Sequence, residues 1–224
     1  IYLTDDMVKE SMRLLDAMGI PYIHAPSEGE AQAAYLSKKG VSWATASQDY
    51  DSLLFATPRL VRNLTISGRR KLPGRDVYVE IKPELIELDK VLKSLGITRE
   101  QLVDIAILIG TDYNPDGVEG IGPKTAYQII KRYGSLEKAL KFMPQARFPE
   151  DPLKIREYFL NPTVMDIDNI EWREPSHDDI IRILVEEYEF SRDRVENALR
   201  RLEKAFRGYM RGTASSLDQW FKKR

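Results

Sequence analysis

The sequence predicts an α/β fold in which a parallel sheet is covered by helices, followed by a wholly helical region. Short apolar runs alternate with helical periodicities as far as residue 110, and strand-like runs are almost gone beyond it. The 224 residues, 42% of them hydrophobic, suffice for one or two domains with a substantial core. We therefore expect an α/β domain over 1–110, a helical region over 111–211 and a tail over 212–224.

Residue composition excludes several kinds of site. Cysteine is absent and only two histidines are present, which excludes disulfides and thiolate-bound zinc or iron–sulfur centres. Any metal would be a hard cation held by carboxylates. No apolar run reaches the roughly 18 residues of a membrane span, so no membrane contact is expected. The net charge is −1, yet residues 200–224 carry eight basic and two acidic side chains, which indicates either a solvated helix face or a basic flank on an acidic body.

Elements of the first half alternate between helix and strand. Ser27 with Glu30 and Thr98 with Gln101 have the spacing of capping boxes, and Thr4 is a further candidate N-cap. Helices are expected from Thr4 to Gly19, from Ser27 to Lys39, from Pro83 to Leu95 and from Thr98 to Gly110. Strands are expected over residues 20–25, 41–46, 60–64 and 76–81, with a basic loop at 69–71 between the last two.

The second half is predicted to be helical. A glycine-rich turn leads into a helix over about 124–133, and Gly134 with Ser135 turns into the next one. Ser176 and Ser191 are expected to cap two late helices.

Acidic residues in three separate segments are the first candidates for a site. Glu28 and Glu30 lie in the first turn of a predicted helix, so both can reach a point beyond its N-terminus, although acids there also serve as caps. Asp49 and Asp51 follow a predicted buried strand, where α/β sheets bind ligands, and an extended chain would place both carboxylates on one side. Asp112 follows an apolar helix and by itself would be a turn residue.

Taken together, these five carboxylates indicate a metal site more strongly than any one of them does alone. Gathered without a cation they would repel one another. Mg²⁺ binds carboxylates while keeping several of its waters, and two such ions about 3.5–4 Å apart activate water and stabilise the leaving oxygen of a phosphodiester. The pattern therefore predicts a two-metal nuclease centre, with caps and turns as the alternative.

A glycine-rich turn precedes the first helix of the second half. Residues 117–124 read Gly-Val-Glu-Gly-Ile-Gly-Pro-Lys, and glycines permit positive φ and close backbone approach. Amides at the start of the next helix can receive a phosphate, and such contacts bind DNA by shape and charge rather than by sequence. The alternative is a tight turn that only links two helices.

Four segments, in this order, resemble the flap endonucleases among the structure-specific 5′ nucleases. They are APSEGEAQAAYL, ASQDYDSLLF, ILIGTDYNPDGVEGIGPKTAYQII and the terminal LDQWF, and the resemblance runs across essentially the whole chain. The Asp-Tyr-Asn-Pro form is similar to archaeal members. The resemblance implies a PIN-like nuclease domain over 1–110, a helix–two-turn–helix DNA-binding element with further helices over 111–211, and a flexible clamp-binding tail over 212–224.

The resemblance also implies roles for the matching residues. Glu30 would bind a first Mg²⁺, with Glu28 acting largely through a water on that ion, while Asp49, Asp51 and Asp112 would hold a second; Mn²⁺ is the expected substitute. Carbonyls around the glycine turn would hold K⁺ that bridges to a DNA phosphate. Residues implied in DNA binding are Gly117, Val118, Gly120, Ile121, Gly122, Lys124, Lys131 and Arg132.

The terminal segment predicts a protein partner, the replication sliding clamp. Leu217, Trp220 and Phe221 lie at i, i+3 and i+4, so one helical turn presents all three as a plug. Ala214 stands where family tails carry glutamine, which removes a polar anchor. The alternative is that Trp220 and Phe221 fold back on the chain's own surface.

The resemblance places Ile1 just after the family's helical arch. An N-terminal region with two further aspartates, a lysine and an arginine is therefore expected to precede it, and residues 1–224 alone are expected to be inactive. The complete enzyme would cleave DNA with a 5′ flap, and act as a 5′–3′ exonuclease, in replication and repair. It would lie with the cytoplasmic nucleoid of an archaeon, or in a eukaryotic nucleus.

Three other functions compete with flap cleavage. The first is a repair or exonuclease relative within the 5′ nucleases, and the second a non-catalytic DNA- and clamp-binding module, which would not need the five carboxylates together. The third is an RNA-cleaving PIN-type nuclease, against which the duplex-binding element argues.

Overall fold

The computed structural model describes residues 2–65, 68–71, 74, 77–212 and 217–222. The chain divides into two compact units: residues 25–167 form one, and residues 1–24 with 168–224 form the other. All five candidate acids and the whole glycine turn belong to the 25–167 unit. The predicted domain boundaries at residues 110 and 211 stay predictions.

Strands are short, and the sheet is mixed. In chain order they are β1 (Thr45–Ala46), β2 (Arg59–Arg62), β3 (Gly68–Lys71), β4 (Tyr78–Ile81) and β5 (Glu84–Glu87). β1 pairs in parallel with β2, β2 pairs antiparallel with β5, and β3 and β4 form a separate antiparallel pair. The α/β class is confirmed in this coarse form, whereas the wholly parallel sheet is wrong for the described strands, because β5 returns alongside β2 in the opposite direction.

Four segments differ from their predicted state. Residues 84–87, predicted as the start of a helix, form β5, which pairs with the buried Leu60 and Val61 of β2 and so satisfies the polar groups along that strand. The basic run 69–71, predicted as a loop, belongs to β3. Residues 20–25, predicted as a strand, have no strand partner in the described chain, and the predicted strand over 41–46 is confined to its last two residues.

Helices make up the larger part of the regular structure. A π-helical segment spans Arg182–Glu187, directly after α9. The helices are α1 (Asp5–Ala17), α2 (Gly29–Lys39), α3 (Asp51–Leu54), α4 (Leu88–Leu95), α5 (Arg99–Ile109), α6 (Pro123–Tyr133), α7 (Leu136–Leu140), α8 (Pro152–Leu160), α9 (His177–Ile181), α10 (Arg192–Met210) and α11 (Leu217–Lys222).

Helix caps follow the sequence at most of the predicted positions. Thr4, Thr98 and Ser176 each accept a hydrogen bond from an amide in the first turn, and Gln101 completes the capping box of α5. The box predicted at Ser27 is wrong. Glu28 is the N-cap of α2, and the Ser27 hydroxyl instead lies 2.8 Å from the hydroxyl of Tyr158.

Helix α5 is the centre of the 25–167 unit. It contacts α3, α6, α7 and α8, and its residues Ile107 and Leu108 are fully buried. Ile130, Leu136 and Phe159 of the surrounding helices complete this core. The nearly continuous apolar pattern of residues 105–109 thus reflects a helix covered on several sides.

A buried ion pair joins three of these helices. Asp104 on α5 has no solvent-exposed surface, and its carboxylate accepts hydrogen bonds from Arg156 Nε on α8 at 2.6 Å and from the Leu136 amide at the start of α7 at 3.0 Å. Burial raises the pKa of Asp104, while the amide and the guanidinium oppose that rise. A charge in this position is tolerated only because both partners are present.

The unit formed by residues 1–24 and 168–224 has its own apolar core. Ala17 of α1, Ile180 and Ile181 of α9, and Val195 and Leu199 of α10 are buried together. Arg13 and Glu187 add a two-pronged ion pair, with nitrogen–oxygen distances of 2.6 and 2.5 Å. Within the described residues, no helix combines the length and the apolarity that crossing a bilayer requires.

Arg156→Ala is expected to destabilise the chain by about 3–5 kcal/mol, because it leaves the Asp104 carboxylate buried without its cation. The measurement is the free energy of unfolding from a urea titration. Arg182→Ala is the matched control, since Arg182 pairs with Asp179 at 2.7 Å on the surface and should cost at most about 1 kcal/mol. Equal losses in the two variants would contradict the structural role given to Asp104.

Candidate active site

A cavity of about 380 Å³ in the 25–167 unit is lined by all five acidic residues singled out from the sequence. Three separate segments of the chain supply them, and four aromatic side chains complete the walls. The lining residues are Glu28, Glu30, Asp49, Tyr50, Asp51, Phe55, Asp112, Tyr113 and Phe159.

The N-terminus of α2 supplies two of the carboxylates. Glu28 is the N-cap residue, and Glu30 is the second residue of the helix. Neither needs to cap the helix with its side chain, so both are free to face the cavity at the positive end of the helix dipole. Glu28 accepts a hydrogen bond from the Tyr113 hydroxyl at 2.8 Å, and Glu30 accepts one from the Ser47 hydroxyl.

The chain after β1 supplies Asp49 and Asp51. The prediction that an extended chain aligns them is wrong, because Tyr50 has helical backbone angles and Asp51 is the first residue of α3. A bend therefore carries both side chains to the cavity. The amide of Asp49 donates to Ser47 Oγ at 3.1 Å, which fixes the start of the bend.

A four-residue turn presents Asp112. The backbones of Thr111 and Asn114 pair with each other, so that Asp112 and Tyr113 form the tip of the turn. Asn114 is 1% exposed, accepts from the Thr111 hydroxyl at 2.6 Å and donates to the Ile107 carbonyl at 2.7 Å. The buried amide side chain thus ties the turn to α5.

Two glycines allow this turn and the next one to pack against α5. At Gly110 (φ +129°) a Cβ atom would lie 2.5 Å from the Pro115 carbonyl oxygen, and at Gly117 (φ +58°) it would lie 2.2 Å from the Ile109 carbonyl oxygen. A side chain at either position would collide with backbone. These glycines therefore have a structural role beside any role in DNA binding.

The carboxylates of the cavity repel one another. The pKa of Asp51 is raised from 3.8 to about 6, first by burial and then by the negative charges of Asp112, Glu30, Asp49 and Glu28. Each of these causes acts in the same direction. Such a site favours whatever brings positive charge to it.

The donor set suits a hard divalent cation, because carboxylate oxygens are the ligands that Mg²⁺ and Mn²⁺ prefer. The arrangement is open rather than closed. Among the described residues, no group of three or more His, Cys, Asp or Glu side chains stands close enough to hold a metal ion. The carboxylates therefore surround a space instead of converging on one point, which agrees with ions that keep much of their water.

Aromatic side chains, which were not among the residues predicted from the sequence, form the apolar part of the cavity. Phe55 packs against Phe159 and Tyr158 with ring centroids 5.0 and 6.1 Å apart. Tyr113 lies 4.8 Å from Tyr158 and 5.7 Å from Phe159. The available signal was that Tyr50, Phe55 and Tyr113 each lie within four residues of a candidate aspartate.

Arg99 supports this aromatic wall from behind. Its guanidinium donates to the Leu54 carbonyl at 2.9 Å and to the Phe159 carbonyl at 2.6 Å, so it joins the end of α3 to the end of α8. Burial lowers the pKa of Arg99. Two elements that line the cavity are thereby held by one side chain of α5.

The glycine turn occupies residues 117–122 and leads into α6, as predicted. Gly122 is the N-cap and Pro123 the first residue of the helix, while Lys124 is exposed in the first turn. A groove of about 880 Å³ lies beside the turn and is lined in part by Gly117, Val118 and Ile121. Gly120 and Gly122 have open space where a Cβ atom would be.

Two of the predicted DNA-binding cations have contacts within the protein. Lys131 Nζ donates to the Gly96 carbonyl at 2.7 Å, at the C-terminal end of α4. The Arg132 guanidinium lies 5.4 Å from the centre of the Tyr133 ring. Lys131 therefore has a stabilising role that the sequence did not reveal.

The predicted clamp-binding residues lie on α11. Leu217 is 40% exposed, and Phe221 is partly buried. The side chain of Trp220 and residues 213–216, which include Ala214, lie outside the described residues. The helical state of the segment agrees with the predicted turn, and its partner stays a prediction.

Comparison with known proteins places this site in a family. The model of the XPG I-region matches residues 19–112, the range that contains all five acids. The chain is 62% identical over 221 residues to Flap endonuclease 1 of Hyperthermus butylicus, a match that covers 99% of this chain and 63% of that protein. The chain thus spans less than two thirds of the length of this relative.

Two solved structures are similar in fold. Flap endonuclease-1 of Methanococcus jannaschii matches with a TM-score of 0.75 and 43% identity, covering 91% of this chain and 59% of that one. The catalytic core of Rad2 in complex with DNA substrate matches with a TM-score of 0.70 and 25% identity, covering 90% of this chain and 71% of that one. On these similarities over nearly its whole length, the chain belongs to the flap endonuclease family, in its archaeal form.

Proposed function

We propose that this chain carries the metal-dependent cleavage centre of a structure-specific 5′ flap endonuclease that acts on branched DNA in replication and repair. The observation that carries the proposal is the cavity of this chain, which is lined by five carboxylates. The chain in which it lies is 62% identical to a flap endonuclease over 221 residues. A non-catalytic DNA-binding module would gain nothing from such a costly arrangement of like charges. The substrate would be DNA with a 5′ flap, and 5′–3′ exonuclease activity is expected beside flap cleavage.

Two divalent cations, Mg²⁺ or in its place Mn²⁺, would occupy the cavity. Glu30, with Glu28 through water, would hold one ion, and Asp49, Asp51 and Asp112 would hold the other. When bound, such ions lower the pKa of water and stabilise charge on a leaving oxygen. The chain's own contribution is positional: Tyr113 orients Glu28, Ser47 orients Glu30, and the buried Phe55 and Phe159 restrict water.

Duplex DNA would bind beside the glycine turn. The Rad2 structure similar to this chain contains a DNA substrate. The exposed Lys124 and the backbone of residues 117–122 offer a phosphate both positive charge and amide donors. A K⁺ ion held by carbonyls of Gly117, Val118 and Ile121 would add a further bridge to phosphate.

The C-terminal helix would bind the replication sliding clamp through Leu217, Trp220 and Phe221. An apolar residue and two aromatic residues on one helical turn form a plug for an apolar groove on a partner. The protein would act at the chromosome, which in an archaeal cell is the nucleoid in the cytoplasm.

Asp112→Asn or Asp49→Asn in the full-length protein is expected to lower flap cleavage by orders of magnitude with little change in duplex affinity, because each removes a charged ligand. Single-turnover cleavage at saturating enzyme separates the chemical step from binding. Asp89→Asn is the matched control, since Asp89 is exposed on α4 in the same unit and lines neither the cavity nor the groove beside the glycine turn. Near-normal cleavage by the cavity variants at ordinary Mg²⁺ concentrations would overturn the metal assignment.

Asp51→Asn is expected to stabilise the protein in EDTA at pH 7.5. The folded-state pKa of Asp51 is about 6, against the ordinary 3.8 of an aspartate, so ionised Asp51 costs stability above that pKa. For a half-exposed carboxyl the effect is roughly 1 kcal/mol after allowance for solvent screening, or a rise in Tm of about 2–4 °C.

The gain should shrink at pH 5, where the folded wild type already carries a proton on Asp51, and should reverse in Mg²⁺, which needs the carboxylate. Thermal melts at the two pH values, with EDTA or Mg²⁺, give all four comparisons. A variant that is less stable than wild type in EDTA at pH 7.5 would show that burial and neighbouring charge do not make the ionised Asp51 destabilising.

Lys124→Ala is expected to weaken duplex binding regardless of sequence and to reduce the slope of log K against log salt by roughly 0.9, the value for one lost phosphate contact. Fluorescence anisotropy at several salt concentrations measures the slope. Lys138→Ala, a substitution of a lysine on α7 away from the glycine turn, is the control. An unchanged slope for Lys124→Ala would place the duplex elsewhere.

A further inference from the structure

We propose that Tyr50 is a stacking platform for the nucleobase next to the scissile phosphate. This rests on the proposed function, since it assigns a substrate contact to the same cavity. Tyr50 lies between Asp49 and Asp51 in the chain and lines the cavity with them. Its ring is therefore one residue away from two of the proposed metal ligands.

Tyr50 differs from the other aromatic residues of the cavity in its exposure. Tyr50 is 52% exposed, whereas Phe55 and Phe159 are buried in the wall. Tyr113 is partly buried, packs against Tyr158 and donates its hydroxyl proton to Glu28. Of the four aromatic side chains on this cavity, Tyr50 alone presents a large ring surface to the space where DNA would enter.

Arg62 on β2 holds the Tyr50 ring in place. The guanidinium lies 4.1 Å from the centre of the ring, and its NH1 group donates to the Tyr50 hydroxyl. Arg62 is fixed in turn, because its Nε donates to the Gln48 carbonyl at 3.0 Å and its NH1 lies 3.6 Å from a Glu84 carboxylate oxygen. The ring is therefore oriented before any ligand arrives, so little side-chain freedom is lost on binding.

The charge of the site indicates which part of DNA the ring would meet. Five carboxylates repel a phosphodiester unless cations intervene, so contacts that do not involve phosphate are needed to bring the strand close. An aromatic face supplies such a contact, because every nucleobase has a face on which it can stack. Stacking of this kind tolerates any base, which suits an enzyme that selects DNA by structure rather than by sequence.

A structural role for Tyr50 predicts a different outcome. If the ring served only to hold Asp49 and Asp51 in place, its loss would impair every substrate equally. If the ring stacks on a base, its loss matters only when that base is present. Removing the base from the substrate and the ring from the protein, singly and together, therefore distinguishes the two roles.

The experiment is a double-mutant cycle in the full-length protein. Single-turnover cleavage of flap DNA is measured for wild type, Tyr50→Leu and Tyr50→Phe, on an intact substrate and on two substrates that lack the base on one or the other side of the scissile phosphate. Tyr50→Leu is expected to lose roughly 10- to 100-fold in kcat/KM on intact DNA. The loss should fall below about 3-fold on one of the abasic substrates. Tyr50→Phe, which keeps the ring and loses only the hydroxyl that accepts from Arg62, should lose less than Tyr50→Leu on intact DNA and should respond to removal of the base as strongly as the wild type.

Equal losses for Tyr50→Leu on all three substrates, or no loss on intact DNA, would overturn the proposal. Tyr50→Trp controls for a folding defect in the leucine variant, because it keeps an aromatic face and enlarges it. It should therefore retain cleavage of intact DNA. Loss of that cleavage in Tyr50→Trp, while Tyr50→Phe stays active, would contradict stacking. Absence of flap cleavage by the wild type would instead contradict the proposed function. The cycle therefore distinguishes a failure of the proposed function from a failure of the stacking proposal.

Discussion

Repulsion among the five cavity carboxylates is the constraint to which the rest of the 25–167 unit responds. Each carboxylate that faces another raises the free energy of the folded chain, and the pKa of Asp51 is raised first by burial and then by the neighbouring negative charges. The scaffold must therefore hold these groups in place with contacts made elsewhere. α5, buried on several sides, provides them: it anchors the Asp112 turn through Asn114 and the aromatic wall through Arg99.

The donors that touch the cavity glutamates are neutral. Glu28 accepts from the Tyr113 hydroxyl, and Glu30 accepts from the Ser47 hydroxyl. A neutral donor fixes the direction of a carboxylate without cancelling its charge, whereas an arginine in the same place would lower the affinity of the site for a cation. The hydroxyls thus meet two requirements of the proposed metal site, since they orient the carboxylates and leave their negative charge uncompensated.

Much of the site was predictable from the sequence, and part of the fold was not. The acids were found because their residue type, in the absence of cysteine, permits few other chemistries, and the cap of α5 was found because Thr98 and Gln101 interact locally. The strand at residues 84–87 was missed because its state is set by pairing with β2, which lies more than twenty residues earlier in the chain. Tyr113 and Ser47 were missed for the same reason, because nothing local indicates which carboxylate a distant hydroxyl will meet.

Two aspartates close together in sequence show what separates a structural acid from a functional one. Asp104 and Asp112 belong to α5 and to the turn that follows it, and the sequence singled out Asp112 only as one of five carboxylates taken together. The fold places Arg156 and a backbone amide against Asp104, and these two donors compensate its negative charge within the protein. It carries Asp112 to a cavity where the neighbouring charges are negative, so that the charge of Asp112 is left for something from outside the chain. The charge of Asp104 is therefore compensated from α7 and α8, whereas the described residues give Asp112 only negative neighbours, as the proposed metal site requires.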